Sequence, residues 1–321
     1  MFDVLMSAPY MIPFVDRFMP VFKHYAINLI IPQVNERLEE DVLLRYAGKF
    51  DGAICGDDRY TKRVIEACVP RLKVIAKWGT GIDSIDRQAC TANNVQLLNT
   101  VNAFTLPVAD SVMGYILAFA RQLPFMDKAI KAGVWQKIPG RSLSECTLGV
   151  IGMGNVGKAV LRRARGFGMR LLGNDIIRIQ HDFLLENNVT SVDLATLLKE
   201  ADFVSVNCDL NLTSIHLINQ QTLELMKPSA FLVNTARGPI VDEKALIAAL
   251  QSKKIAGAAL DVFEKEPLPL DSPLIHMDNV MLAPHNSNSS PTAWEHVHWN
   301  TIRNLLIGLG INPEDLYDIQ N

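Results

Sequence analysis

Residues 148–160 read LGVIGMGNVGKAV. An apolar run leads straight into Gly152-x-Gly154-x-x-Gly157, and the residues after the last glycine take up helical periodicity. G-x-G-x-x-G alone is a weak signal, because glycine is common. Placed after a strand and opening a helix, it is the fingerprint of a dinucleotide-binding turn. Gly152 permits the tight turn, Gly154 lets the backbone approach a pyrophosphate, and Gly157 lets helix and strand pack closely. The N–H groups at the helix start, where Asn155 and Val156 lie, then face the anionic phosphates.

The next apolar run, RLLGND (170–175), ends in Asp175, about 20 residues on, where the fingerprint expects an acid. Its carboxylate would bind both ribose hydroxyls of an adenosine and repel a 2′-phosphate, which favours NAD over NADP. Arg178 nearby weakens that preference slightly. Two other readings stay open at this point: a bare tight turn with no ligand, and a flavin site. The flavin reading is less favoured, since such sites usually lie nearer the N-terminus, beside a different second domain.

Outward from this turn, short apolar runs alternate with helical periodicity along the whole chain, the pattern of parallel sheets wrapped by helices. Before it come FDVLMS, AINLII, GAICG, LKVIAKW and VQLLNT; after it come ADFVSVN, AFLVNTA, AGAALDV and VMLAPH (280–285). The later runs are continuously apolar, as strands buried on both faces should be. The clearest helices are 156–168, 242–254 and 292–309, with a long one near 105–122 joining two domains. The expected fold is α/β, with two doubly wound parallel-sheet domains. The first comprises residues 1–100 plus 287–321, because the last helix returns to it, and the second residues 101–286.

The 321 residues, 49% of them apolar, suffice for two cores. A net charge of −3 with both signs scattered gives no pull toward nucleic acid or an anionic membrane. The apolar stretch VMGYILAFA (112–120) is half a membrane span and reads as a buried helix. The N-terminus has no basic stretch of a signal peptide, and the five cysteines form no C-x-x-C pair. Reduced thiols in a cytoplasmic protein are expected, with no metal site. His296 and His298, two apart, point to opposite sides of a helix rather than to a shared metal.

Three further strand ends carry polar groups: VNTARGP, LDVFEKEP and LAPHNS. In a doubly wound sheet the C-terminal strand ends line one crevice. Arg237, Asp261 and His285 are therefore expected to meet there, with Glu266 on the loop after the fifth strand. Singly, each has a bland reading as a turn residue or a solvated charge.

At these residues the sequence resembles the D-isomer-specific 2-hydroxyacid dehydrogenase family, over about residues 45 to 310. The resemblance rests on K-W-G-T-G-I-D-S-I-D (77–86), G-M-G-N-V-G (152–157), V-N-T-A-R-G (233–238), A-L-D-V-F-E-K-E-P (259–267) and A-P-H (283–285), in order and spacing. It implies a flavodoxin-like substrate domain and a Rossmann NAD-binding domain. It also implies hydride transfer between NAD and a D-2-hydroxy acid or its 2-keto acid, of the 3-phosphoglycerate, glyoxylate/hydroxypyruvate or D-lactate type. Carried over residue by residue, Arg237 binds the substrate carboxylate and carbonyl, His285 is the acid/base, and Glu266, the one directly before Pro267, supports His285. Asp261 contacts the nicotinamide carboxamide, and Cys208, Thr235 and Ala236 line the cofactor. Gly79, Thr80 and Gly81 receive the substrate carboxylate beside Lys77, and Thr80 also lies against the cofactor. A homodimer through the cofactor domains, with the 105–122 helix in the contact, is implied as well. Physical chemistry agrees: a guanidinium fork suits two adjacent oxygens, and an ordinary histidine, with pKa about 6.5, exchanges protons near neutral pH.

The chain departs from the family pattern in three places. Asn286–Ser289 follow the histidine where an aliphatic residue and glycine are usual. VNAFTLPVAD (101–110) replaces a more usual N-T-P-G run. Gly56-Asp57-Asp58 and Lys77 stand where the phosphoglycerate branch often places arginines, so a phosphate would meet acid in one place and base in the other. An NAD(H)-sensing binding protein, similar to the family's corepressors, is the alternative from another functional class.

Overall fold

Eleven of the strands begin within a few residues of an apolar run read above. In the computed structural model, which describes residues 1–314 and Leu316, these runs form two separate all-parallel sheets. The chain divides into two compact units, one of Met1–Phe104 with the segment from Ser290 on, the other of Thr105–Ser289.

The first unit holds β1 (Phe2–Met6), β2 (Ile27–Ile30), β3 (Gly52–Cys55), β4 (Val74–Lys77) and β5 (Gln96–Leu98), in the order β2-β1-β3-β4-β5. Its early helices are α1 (Val15–His24), α2 (Glu40–Leu44), α3 (Lys62–Cys68) and α4 (Arg87–Ala92). Strands β3 and β4 are buried at every position, as central parallel strands must be. One face packs Leu43, Val64, Ile65 and Cys90 against Ala53, Cys55 and Ile75.

The second unit begins with α5 (Thr105–Ala120) and α6 (Leu123–Lys131). Then alternate β6 (Thr147–Ile151), α7 (Asn155–Gly166), β7 (Arg170–Asn174), α8 (His181–Asn187), β8 (Val189–Ser191), α9 (Leu194–Glu200) and β9 (Phe203–Val206). The rest is α10 (Gln220–Leu223), β10 (Phe231–Asn234), α11 (Glu243–Gln251), β11 (Gly257–Leu260) and β12 (Val280–Leu282). The sheet order is β12-β11-β10-β9-β6-β7-β8. Buried Ala109, Val112, Met113 and Ile116 of α5 follow the 3.6-residue period and pack with Val160, Leu161 and Ala164 of α7 on one face. Leu197 and Leu198 of α9 and Leu246 and Leu250 of α11 fill the other face.

Helix α12 (Pro291–Gly308) belongs to the first unit and lies on β3, β4 and β5. A Cβ on Gly308 would come 2.2 Å from a Val74 methyl, so glycine is what lets this helix seat on β4. On α12 His296 is exposed and His298 is 3% exposed, the opposite-side placement expected from their spacing.

Two strand readings are corrected. β8 is a sheet edge that the apolar runs do not announce: only Val189 of its three residues is buried. β12 ends at Leu282, three residues short of His285, and as the opposite edge it is only partly buried rather than covered on both faces. Among the described residues no helix is long and apolar enough to cross a membrane.

Candidate active site

The glycine turn of the second unit has the geometry that its sequence demands. Gly152 has φ +88°, and a Cβ there would fall 2.5 Å from the Cys208 backbone nitrogen. Any side chain would thus push β6 and β9 apart at their C-terminal ends. A Cβ on Gly157 would lie 2.0 Å from the Gly152 carbonyl oxygen, so helix and turn are in direct backbone contact. Gly154 is different: nothing lies within 4 Å of a Cβ built there. The middle glycine faces open space at the start of the twelve-residue α7, where a helix presents N–H groups and positive potential.

Asp175 follows β7 and anchors that turn. Its Oδ2 accepts the Met153 N–H at 2.6 Å, and its Oδ1 accepts the Ile177 N–H at 3.0 Å. Beside it opens a hollow of about 400 Å³, lined also by Ile176, Arg178, His181, Leu184 and Ser191. At the ends of β9 and β10, Asn207 Oδ1 and Thr235 Oγ1 are buried polar atoms with no hydrogen-bond partner in the protein. Buried polar atoms are normally satisfied, and orphans at a strand-end crevice call for a ligand. Open backbone at Gly154, a carboxylate one strand over and two orphaned oxygens together fit a dinucleotide. Sequence reading misses Asn207; its only signal is a polar residue just past a buried strand. Cys208, next in the chain, is a partly buried thiol whose pKa burial pushes up to about 11, so it stays protonated.

The chemistry-bearing residues come from β10, β11 and β12. Asp261, 1% exposed, directly follows β11. Its carbonyl accepts the His285 N–H at 2.8 Å, and its carboxylate accepts the N–H groups of Asn286 at 2.7 Å and Ser287 at 2.9 Å. These three bonds hold His285 at φ +51°, a left-handed conformation uncommon outside glycine and asparagine. Expected to touch the cofactor, Asp261 is thus also what shapes the histidine turn. Ser287 is tied further, its carbonyl accepting the Ser111 hydroxyl of α5 at 3.3 Å.

The imidazole Nδ1 of His285 is 3.0 Å from Glu266 Oε2, and Glu266 Oε1 accepts the Phe263 N–H at 3.0 Å. Glu264, two residues earlier, faces elsewhere, with its Oε1 2.9 Å from His216 Nε2. Arg237 comes just after β10, its Nη1 donating to the Ala236 carbonyl at 2.8 Å. The adjoining Gly238 has no room for a side chain: a Cβ would lie 1.9 Å from the Phe263 carbonyl carbon. That contact locks the Arg237 loop onto the loop that carries Glu266.

The first unit carries the 77–81 turn by itself. Gly79, φ +109°, accepts the Thr100 N–H at 2.9 Å, and the Thr80 hydroxyl donates to the Thr100 carbonyl at 2.8 Å. The Lys77 side chain is 5% exposed, and its ammonium bonds the Trp78 carbonyl at 2.9 Å and Asp57 at 3.0 Å. No group of three or more His, Cys, Asp or Glu among the described residues is arranged to hold a metal ion.

Residues 113–287 match the family model for the D-isomer specific 2-hydroxyacid dehydrogenase, NAD binding domain. The chain belongs to the D-isomer specific 2-hydroxyacid dehydrogenase family. Its cofactor is NAD. A glyoxylate reductase of Korarchaeum cryptofilum is 42% identical to this dehydrogenase over 239 residues, 73% of this chain and 71% of that one. A hydroxypyruvate reductase of Thermotoga maritima is 37% identical over 283 residues, 86% of this chain and 90% of that one. The crystal structure of D-lactate dehydrogenase from Aquifex aeolicus, complexed with NAD and lactic acid, superposes with a TM-score of 0.84 at 26% identity, covering 96% of each chain.

Proposed function

We propose that this dehydrogenase interconverts a small 2-keto acid and its D-2-hydroxy acid, with glyoxylate or hydroxypyruvate as the keto form. Reductases named for those two acids are among the relatives that match most of its length. The observation that carries the mechanism is the Glu266 carboxylate spanning the Phe263 N–H and His285 Nδ1. A carboxylate offers only acceptors, so it holds the proton on Nδ1 and leaves Nε2 as the ring atom that exchanges one.

Bound NAD supplies or accepts the hydride. His285 Nε2 delivers a proton to the carbonyl oxygen in reduction and takes it back in oxidation, with Glu266 stabilising the imidazolium and fixing the ring plane. The Arg237 fork holds a carboxylate oxygen and the carbonyl oxygen together. The backbone N–H groups of Gly79, Thr80 and Gly81 receive the carboxylate, with Lys77 beside them. Asp175 binds the adenosine ribose. A homodimer through the second unit is supported by exposed Leu106, Leu123 and Ile130 on α5 and α6, a set of apolar side chains that a partner would cover.

The test is turnover of the purified protein with NADH and a panel of 2-keto acids, followed by NADH absorbance, beside His285→Gln. Turnover that the variant lacks is the expected result. Turnover equal to wild type in the variant removes His285 from its role. No turnover on any acid, with NADH still bound, favours the NAD(H)-sensing alternative.

A further inference from the structure

The strand ends of the first unit carry a charged cluster only partly used by the reaction above. The order β2-β1-β3-β4-β5 reverses its direction of winding between β1 and β3. In open α/β sheets, ligands lie outside the strand C-termini at such a switch point. Ser7 stands there after β1, Gly56-Asp57-Asp58 after β3, and Lys77 at the end of β4. Lys77 Nζ sits 3.0 Å from Asp57 Oδ1. A Cβ on Gly79 would lie 3.7 Å from the same Nζ, so the ion pair adjoins the turn assigned to the carboxylate.

Behind the pair, Asp58 is fully buried and accepts the Leu38 N–H at 2.6 Å and the Ser7 hydroxyl. Burial raises its carboxyl to about 6, which still leaves it charged at neutral pH. Lys77 therefore faces two carboxylates, and the corner as a whole carries one negative charge. The Lys77 side chain is 5% exposed and Asp58 is fully buried, so these two charges lie away from bulk water. Charges there act more strongly than they would in bulk solvent.

We propose that Asp57, by occupying Lys77, makes the enzyme select 2-keto acids with hydrogen or a neutral hydroxyl beyond the carbonyl and reject those bearing a phosphate. This rests on the reaction proposed above. The side chain of Asp57 is 48% exposed, and a carboxylate, which has acceptors only, tolerates a neutral hydroxyl that can donate to it. A phosphate dianion has no proton to donate to it. To reach Lys77 it would have to displace Asp57 and leave that carboxylate without its cation beside Asp58.

The test compares kcat/KM for glyoxylate, hydroxypyruvate and 3-phosphohydroxypyruvate, with NADH, in wild type, Asp57→Asn and Asp57→Ser. Circular dichroism confirms that each variant is folded. Removing one negative charge should raise the phosphorylated-to-unphosphorylated ratio about tenfold or more in both variants, the equivalent of roughly 1.4 kcal/mol. High salt should shrink the wild-type discrimination. An unchanged ratio in both variants, with glyoxylate still reduced, overturns the inference alone. Failure of the wild type to reduce any of the three overturns the reaction and this inference together.

Discussion

Glu266 is shared between a backbone N–H and a ring nitrogen: Oε1 takes the Phe263 N–H and Oε2 faces His285 Nδ1, each at 3.0 Å. Both oxygens must be acceptors for this to hold. Glu266→Gln keeps the shape but offers one oxygen and one NH2, so one of the two donors meets another donor. The expected outcome is a fall in kcat of about 10²-fold, within the range that positioned acid/base groups contribute. Glu266→Asp, which keeps two acceptors on a shorter stem, should recover part of the loss. Steady-state kinetics on the reduced keto acid decide it, and Glu266→Gln at wild-type kcat would remove the carboxylate from the mechanism.

The Arg237 loop makes a second, separable prediction. Lysine keeps the charge but loses the planar fork, and with it at least one charge-assisted hydrogen bond worth about 1.5–3 kcal/mol. Arg237→Lys should therefore raise KM for the keto acid roughly 10- to 100-fold, while NADH binding measured by fluorescence titration persists. A KM unchanged by the substitution would show that the fork does not hold the substrate.

Asp175 is tied to the glycine turn through Met153 and to its own loop through Ile177. Replacing it by serine removes the charge that opposes a 2′-phosphate and, at the same step, an anchor of the turn. Both effects weaken NAD, and only the first helps NADP. The ratio of kcat/KM for NADH over NADPH should narrow by about tenfold, one charge contact at roughly 1.4 kcal/mol, with Arg178 on the same hollow free to assist. An unchanged ratio would count against the ribose role.

Much of this architecture is legible in sequence because parallel strands are buried on both faces. GAIC, VIAK and TLGVI read as strands since each residue is buried. Where burial is partial the signal fades. Val189–Ser191 exposes two of three residues and gives no apolar run. VMLAPH reads as one strand to His285, yet the strand ends at Leu282: the Ala283 N–H still bonds Leu260 at the end of β11, and the His285 N–H then goes to Asp261, beyond that strand. The left-handed turn at His285 is a tertiary product of those Asp261 bonds, which lie 24 to 26 residues away in sequence. The Lys77–Asp57 pair is hidden for the same reason. The residues are read apart as acid in one place and base in another, and only the adjacency of β3 and β4 joins them.

Two buried groups of the first unit respond to acid in opposite directions. The carboxyl of Asp58 is raised by burial to about 6, above its ordinary value of 3.8, so the folded chain binds its proton first. Stability from this group therefore rises as pH falls from about 6 to about 4. The His298 ring is driven down by burial to about 4 from 6.5, and its Nδ1 accepts the Trp78 Nε1–H at 2.9 Å. Folding holds this histidine neutral, so its contribution is present above 6.5 and is lost as pH falls toward 4. Each shift of about two units corresponds to roughly 3 kcal/mol, and the two windows overlap, so in the wild type they largely offset. Single variants should expose them. Asp58→Asn removes the acid-side gain, and its stability should fall more steeply between about pH 6 and 4 than that of the wild type. His298→Gln, whose amide oxygen can still accept from Trp78, should flatten or reverse the slope. Urea unfolding at a series of pH values reads both, and parallel stability curves for the three proteins would show that neither group is linked to folding.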